Sequence, residues 1–205
     1  MLIDILWRVN MIDEIIKREW DFFQQIHHID GVALCQQDYN TFYIMRASQF
    51  EAWSKEVVES YLGDLKEYQK YHQNPIYQKY GLMMKSNDPK GYQKIKHTLL
   101  TIDQDKLDII EEIIMIQLQW KESFNQQYPH LANSSRPIYS YQDTIEDTSF
   151  ETYLRGELST YLDKTLYLYG NMIIKYLHNN QNLTTMITEN TAHYYQYSSL
   201  ADIKQ

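Results

Sequence analysis

The sequence has one cysteine, four prolines and six glycines in 205 residues. A lone thiol, Cys35, excludes an internal disulfide and any zinc site built from cysteines. It reads as a buried, inert side chain, since no histidine near it in sequence offers itself as a base. So few helix breakers, set against long periodic runs, point to helices. No apolar run approaches the length of a membrane span. MLIDILWRVN lacks a basic leader and a small-residue cleavage site, so the cytoplasm is the expected compartment and no membrane contact is expected. Positive charge is also short. A formal net charge of −8 argues against a nucleic-acid partner, which needs cations to meet phosphates. There is no P-loop, GxGxxG, GxSxG or HExxH. No E-x-x-H pair exists, which speaks against a di-iron bundle. Glu189 and His193 are four apart, but an i,i+4 hydrogen bond explains them better than a metal. No metal and no cofactor are expected.

What is present suits a folded helical domain. Hydrophobic residues make up 43% of the chain, close to the globular norm. A chain of this length buries roughly 70% of the surface its unfolded form exposes. One domain over 11–205 is expected, with residues 1–10 as an extension continuing into the first helix. The 19 tyrosines suit a core containing hydrogen bonds, or a contact surface.

Taken in order, Ile3 to Ile26 reads as a helix whose stripe of Ile12, Ile15, Ile16, Phe22, Phe23 and Ile26 is interrupted by Glu19. Asp30-Gly31 is a turn signal. Asp38 caps a second helix, with a break expected near Ala47 because Ser48 and Glu51 form a capping-box pattern. If the helix continues, one face collects Arg46, Gln49, Phe50, Trp53, Val57, Ser60, Tyr61 and Asp64. Asn74-Pro75 and Asp88-Pro89 start two short helices. Asp103 caps a strong helix to about Gln127, with a stripe of Ile109, Ile113, Ile116, Gln117, Trp120 and Phe124. Residues 128–147 read as one long irregular loop, the kind that often orders around a site. Asn179 to Asn182 makes a turn before a last helix from Leu183, and the tail from Ser198 is expected to fray. YNTFYIM is β-rich but reads as helix because of the cap before it. The expected fold is an all-α single-domain bundle of six to eight helices.

Residues 148–170 read as one long helix with a Thr148/Glu151 capping box. On it Glu151, Arg155, Leu158, Leu162, Leu166 and Tyr169 share a face, with Glu157, Tyr161, Lys164 and Leu168 on an adjacent row. Glu151 and Arg155 can pair within the helix. With Glu19, Arg46 and Asp64 they make five charges on otherwise apolar faces of separate helices. Buried charges need partners or a ligand. Two readings follow. The cluster neutralises itself and fixes helix register, or it lines a pocket in which arginines clamp an anion and a carboxylate serves as acid or base. The candidate site is Glu19, Arg46, Gln49, Trp53, Asp64, Gln117, Glu151 and Arg155.

The blocks REWDFFQ, ALCQQDYNTFYIMRASQFEAWS, SYLGDL, KYGLMM, QWKESFNQQYPHLA and TSFETYLRGELSTY resemble, in this order, the bacterial domain of unknown function 4125. The resemblance spans about residues 11–200. Matching positions include Glu19, Trp20, Cys35, Gln36, Asp38, Arg46, Gln49, Trp53, Tyr61, Asp64, Tyr128, Pro129, Glu151, Tyr153, Arg155, Gly156 and Glu157. Where the family reads Gly-Gly-Arg-Ala, this chain has Asp30, Gly31, Val32 and Ala33, without the arginine. The resemblance implies boundaries and motif positions but no activity.

Two functional expectations remain. The first is a pocket for a small anionic or polar molecule, with metal-free acid/base chemistry. The second is a non-catalytic interaction or scaffold protein, partnered by another protein or a copy of itself, which predicts an exposed apolar patch of several hundred Å². A weaker third is anion contact through Lys79, Lys85, Lys90, Lys94 and Lys96, five lysines in a stretch with only Asp88 as an acid.

Overall fold

The computed structural model describes residues 2–26, 36–132 and 135–203. Cys35, the Asp30-Gly31 turn, His27-His28 and the departure at Val32 lie outside the described residues. Ten α-helices are present among those described, with no strand. They are α1 (Leu2–Gln24), α2 (Tyr39–Glu51), α3 (Lys55–Lys70), α4 (Pro75–Asn87), α5 (Pro89–Ile95), α6 (Gln104–Gln127), α7 (Pro129–Ala132), α8 (Phe150–Ser159), α9 (Asp163–His178) and α10 (Leu183–Tyr194). The all-α single-domain bundle is as expected. The count exceeds eight because α7 has only 4 residues and residues 148–170 divide in two.

Local chemistry starts most of these helices. Side chains of Asp38, Asn74, Asp88, Asp103 and Asn182 each accept a hydrogen bond from a backbone N–H three residues on, at 2.9–3.2 Å. Each satisfies a donor that the helix itself leaves free. Pro75 and Pro89 stand in first turns, where a missing N–H costs nothing.

Three boundaries differ from the sequence reading. α2 runs past Ala47 to Glu51, and the chain breaks at Ala52–Ser54 instead. Ser48 therefore sits fully buried inside a helix, facing the bundle rather than capping. Ser149, not Thr148, caps α8, accepting from the Thr152 N–H. Thr148 instead accepts a hydrogen bond from Asn87. The long helix expected over 148–170 breaks at Thr160–Leu162. No proline or glycine causes that break. Tyr68 donates to the Thr160 carbonyl at 2.7 Å, Lys106 to the Tyr161 carbonyl at 2.6 Å, and Asp64 accepts from the Leu162 N–H at 2.9 Å. Side chains from α3 and α6 thus satisfy backbone groups that a continuous helix would have used itself.

Two smaller corrections concern α6 and the tail. Ile109 is 44% exposed, and the buried stripe is Ile110, Ile113, Ile114, Gln117, Trp120 and Phe124. Within the tail, Leu200 begins a 3-10 turn and is buried against Phe124 and Ala192 rather than frayed. The 128–147 segment holds α7 and a 3-10 turn over Ser140–Gln142.

α1 packs on α2, α3 and α4; α8 lies between α4 and α6; α9 lies between α3 and α6; α10 covers α2 and α6. Gly156 lets α8 approach α4 closely. A β-carbon there would stand 2.7 Å from Met83 Cγ and 3.0 Å from the Lys79 carbonyl oxygen. At the centre, Trp53 is 1% exposed, with ring centroids of Tyr61, Tyr161 and Tyr169 at 5.7, 5.9 and 5.2 Å. All three pairs are edge-to-face, the arrangement the ring quadrupoles favour.

Candidate functional site

Above this aromatic cluster lies a buried ionic network drawn from four helices. Glu19 of α1, Arg46 of α2, Lys79 of α4 and Glu157 of α8 are all less than a tenth exposed. Arg46 makes a fork with Glu19, Nε to Oε2 at 2.7 Å and Nη2 to Oε1 at 2.6 Å. Its other amino nitrogen, Nη1, reaches Gln49 at 2.7 Å and Glu157 at 3.1 Å. Lys79 donates to the second Glu157 oxygen at 2.7 Å. Gln49 and Tyr161 donate to the first, at 2.9 and 3.1 Å, and Tyr61 donates to Glu19 at 2.6 Å. All four carboxylate oxygens are bonded, and two acids balance two bases. The cations also lie over rings, Arg46 over Phe50 at 4.7 Å and Lys79 over Tyr153 at 3.6 Å.

The electrostatics follow from burial and pairing. Burial alone would push the Glu157 carboxyl up, but the charges of Arg46 and Lys79 outweigh it and hold it well below the usual carboxylate range. Burial, with the Glu19 charge, pushes the Tyr61 hydroxyl well above its ordinary value. Each of these groups keeps one protonation state across the ordinary pH range. The network does not border the open cleft described below. Its chemistry is that of a closed, self-neutralising knot which fixes how α1, α2, α4 and α8 meet.

The candidate residues divide among separate places. Glu19, Arg46 and Gln49 meet in the network. Trp53 and Gln117 belong to the aromatic cluster beside it: Tyr169 donates to Gln117 at 3.4 Å. The Trp53 indole N–H and the Gln117 amide nitrogen find no partner among the described residues. Asp64 is buried apart, at the α8–α9 break. Burial raises its carboxyl to about 6 despite the Leu162 N–H. Glu151 and Arg155 form a third group, half-buried on the flank. Arg155 forks onto Glu111 of α6 at 2.6 and 2.9 Å and bonds Glu151 at 2.7 Å. Glu151 also accepts the Ser140 N–H at 2.7 Å.

Glu157 and Lys79 are the members the sequence reading missed. A signal existed for each. Glu157 headed the row containing Tyr161, which is fully buried, and Lys79 lies in the KYGLMM block. No local pattern shows that these two, 78 positions apart, face one another.

An open cleft of about 830 Å³ lies on the flank of α8. Leu82, Leu100, Ile102 and Leu107 form apolar wall, and Ser86, Ser140, Thr152 and Ser159 present hydroxyls. Arg155 and Gly156 line it from α8, and Lys85, Lys96 and His97 line it from α4 and the 3-10 turn at Lys96–Thr98. Lys85 and Lys96 are exposed and form no ion pair among the described residues. Of the eight candidate residues, only Arg155 borders this cleft. Among the described residues, no three histidine, cysteine or acidic side chains are grouped as metal ligands, and no helix is long and apolar enough to cross a membrane.

Fold and site together define a helical bundle locked by a closed ionic network, with an open cleft on the flank of α8. The chain belongs to the family described as protein of unknown function (DUF4125), whose model matches residues 9–205. No curated protein and no solved structure matches it.

Proposed function

We propose that this domain binds a small molecule with an apolar body and an anionic group in the cleft between α4, α6 and α8. The observation that carries this reading is the pairing of an apolar wall with two unpaired lysines in one concavity of about 830 Å³. Ligand sites are concave and mostly apolar, with a few converging polar groups, and span about 300–1,000 Å³. Lys85 and Lys96 supply the charge. Arg155 binds Glu111 and Glu151 through Nε and Nη2, which holds the α8 wall against α6. Ser140 adds a polar group to the lining, while the Ser86 and Thr152 hydroxyls donate to Asp143 and the Ser159 hydroxyl to the Arg155 carbonyl, which leaves their oxygens as acceptors. The Lys79–Glu157 pair ties α4 to α8, two of the cleft's walls, and a preset wall lowers the ordering cost of binding. The reading moves the anion-binding role from the buried charges to the lysine-rich stretch, with residues 11–205 as the domain that carries it.

The test uses 8-anilinonaphthalene-1-sulfonate, an aromatic sulfonate that fluoresces when its body leaves water. Saturable binding to the folded protein is expected. Lys85→Glu with Lys96→Glu should weaken it by on the order of tenfold or more, with an unchanged melting curve. No saturable binding, or binding indifferent to the double reversal, overturns the proposal.

A further inference from the structure

A second surface lies across the bundle, on α6 and α9. These helices run parallel. Lys106 reaches the Tyr161 carbonyl at one end, and seven residues on, Ile113 Cδ1 stands 3.4 Å from where a β-carbon on Gly170 would be. This register sets Ile109 beside Tyr167 and partly buried Ile116 beside Ile174, with Leu177 one turn further. Tyr167 is 67% exposed, Ile174 48%, Ile109 44% and Leu177 42%. On α9, Tyr167, Ile174 and Leu177 follow one another at intervals of seven and three, so they form one exposed apolar stripe beside the Gly170 contact with α6.

Charge flanks the strip asymmetrically. Past the isoleucines, the outer edge of α6 carries Asp105, Asp108 and Glu112, all exposed. On the other side of the strip, the outer edge of α9 carries exposed Lys164 and Lys175. An acidic border and a basic border on one face are complementary to the same face turned over.

We propose that this face is the two-fold interface of a homodimer. The symmetry is isologous, so each copy offers the same patch. Borders decide the axis. A two-fold axis parallel to α6 and α9 lays the acidic edge of one copy on the basic edge of the other, with Lys164 level with Asp105 and Asp108. A two-fold axis across the helices would set acid on acid and lysine on lysine, which repel. The apolar strip supplies the dry centre and the charges form the rim. This interface is separate from the cleft and does not depend on its being a ligand site.

Sedimentation equilibrium of the full chain tests it. A dimer is expected, weakening as salt is raised because the rim pairs are screened. Ile174→Asp should leave only monomer while its circular dichroism melt stays native-like, since Ile174 is outside the core. Lys164→Glu should weaken association by on the order of tenfold or more. Adding Asp105→Lys and Asp108→Lys to that variant should restore it. A wild-type monomer at high concentration overturns the proposal. So does a dimer that survives Ile174→Asp, which would place the interface elsewhere. A dimer lost with Ile174→Asp but indifferent to the charge swaps overturns the parallel axis.

Discussion

Replacing Glu157 by glutamine keeps the side-chain volume and removes one charge from the network. In the wild type Lys79 donates to Glu157 at 2.7 Å, and its side chain is only 6% exposed. Glutamine offers that ammonium a carbonyl oxygen at best, or an amide that cannot accept. Arg46 keeps its fork to Glu19, so the loss falls mainly on Lys79. An uncompensated buried charge costs about 3–5 kcal/mol. No cavity opens, so nothing is added for lost packing. For a domain of this size, each kcal/mol lowers Tm by roughly 2–4 °C, which gives a fall of about 6–20 °C. Thermal melts by far-ultraviolet circular dichroism at neutral pH would read it. Lys79→Met in the same chain should recover much of the loss, because the stranded charge is then gone. A Glu157→Gln variant that melts within about 2 °C of wild type would refute the reasoning. It would mean that water reaches Lys79 or that the network's charges are not dielectrically isolated.

Two further predictions concern α8 and its end. The Asp64 carboxyl, raised by burial to about 6, stabilises the fold when protonated; that contribution is complete below 3.8 and lost as pH rises through 6. Asp64→Asn should flatten stability over pH 4–7 and raise it at pH 7 by about 1–3 kcal/mol, read by urea titration at several pH values; an unchanged pH slope would count against it. The pH dependence of Glu157 has the opposite sign, with stability present above 4.5 and lost as pH falls below it. Gly156→Ala brings a β-carbon to 2.7 Å from Met83 Cγ and 3.0 Å from a carbonyl. The rigid carbonyl cannot yield, so a loss of about 1–3 kcal/mol is expected in urea titration, and an unchanged midpoint would show that α4 gives way.

Glu19 and Arg46 were legible as charges on apolar faces, and the structure joins them. Asp64, Glu151 and Arg155 carried the same signal and went elsewhere. An intruding charge announces that a partner exists but not which one. Arg155 has a long stem and reaches Glu111 on a neighbouring helix, while Asp64 is short and serves the nearest free N–H. Lys85 and Lys96 stand in sequence only as two of five lysines in an anion-contact stretch, and only the fold of α4, α5 and α6 makes them the rim of a cleft.

By itself the sequence determined where five of the helices begin and that the chain folds as a helical bundle. Asp38, Asn74, Asp88, Asp103 and Asn182 each act on a backbone N–H three residues away, so their information is local and readable. The tertiary structure alone decided where helices end within unbroken periodic runs. The break after Ser159 exists because Tyr68, Asp64 and Lys106, distant in sequence, take over its backbone hydrogen bonds. It also decided that Glu157 and Lys79 complete the ionic network. A buried charge is tolerable only beside its counter-charge, and which helix brings that counter-charge is a matter of packing, which no local spacing encodes.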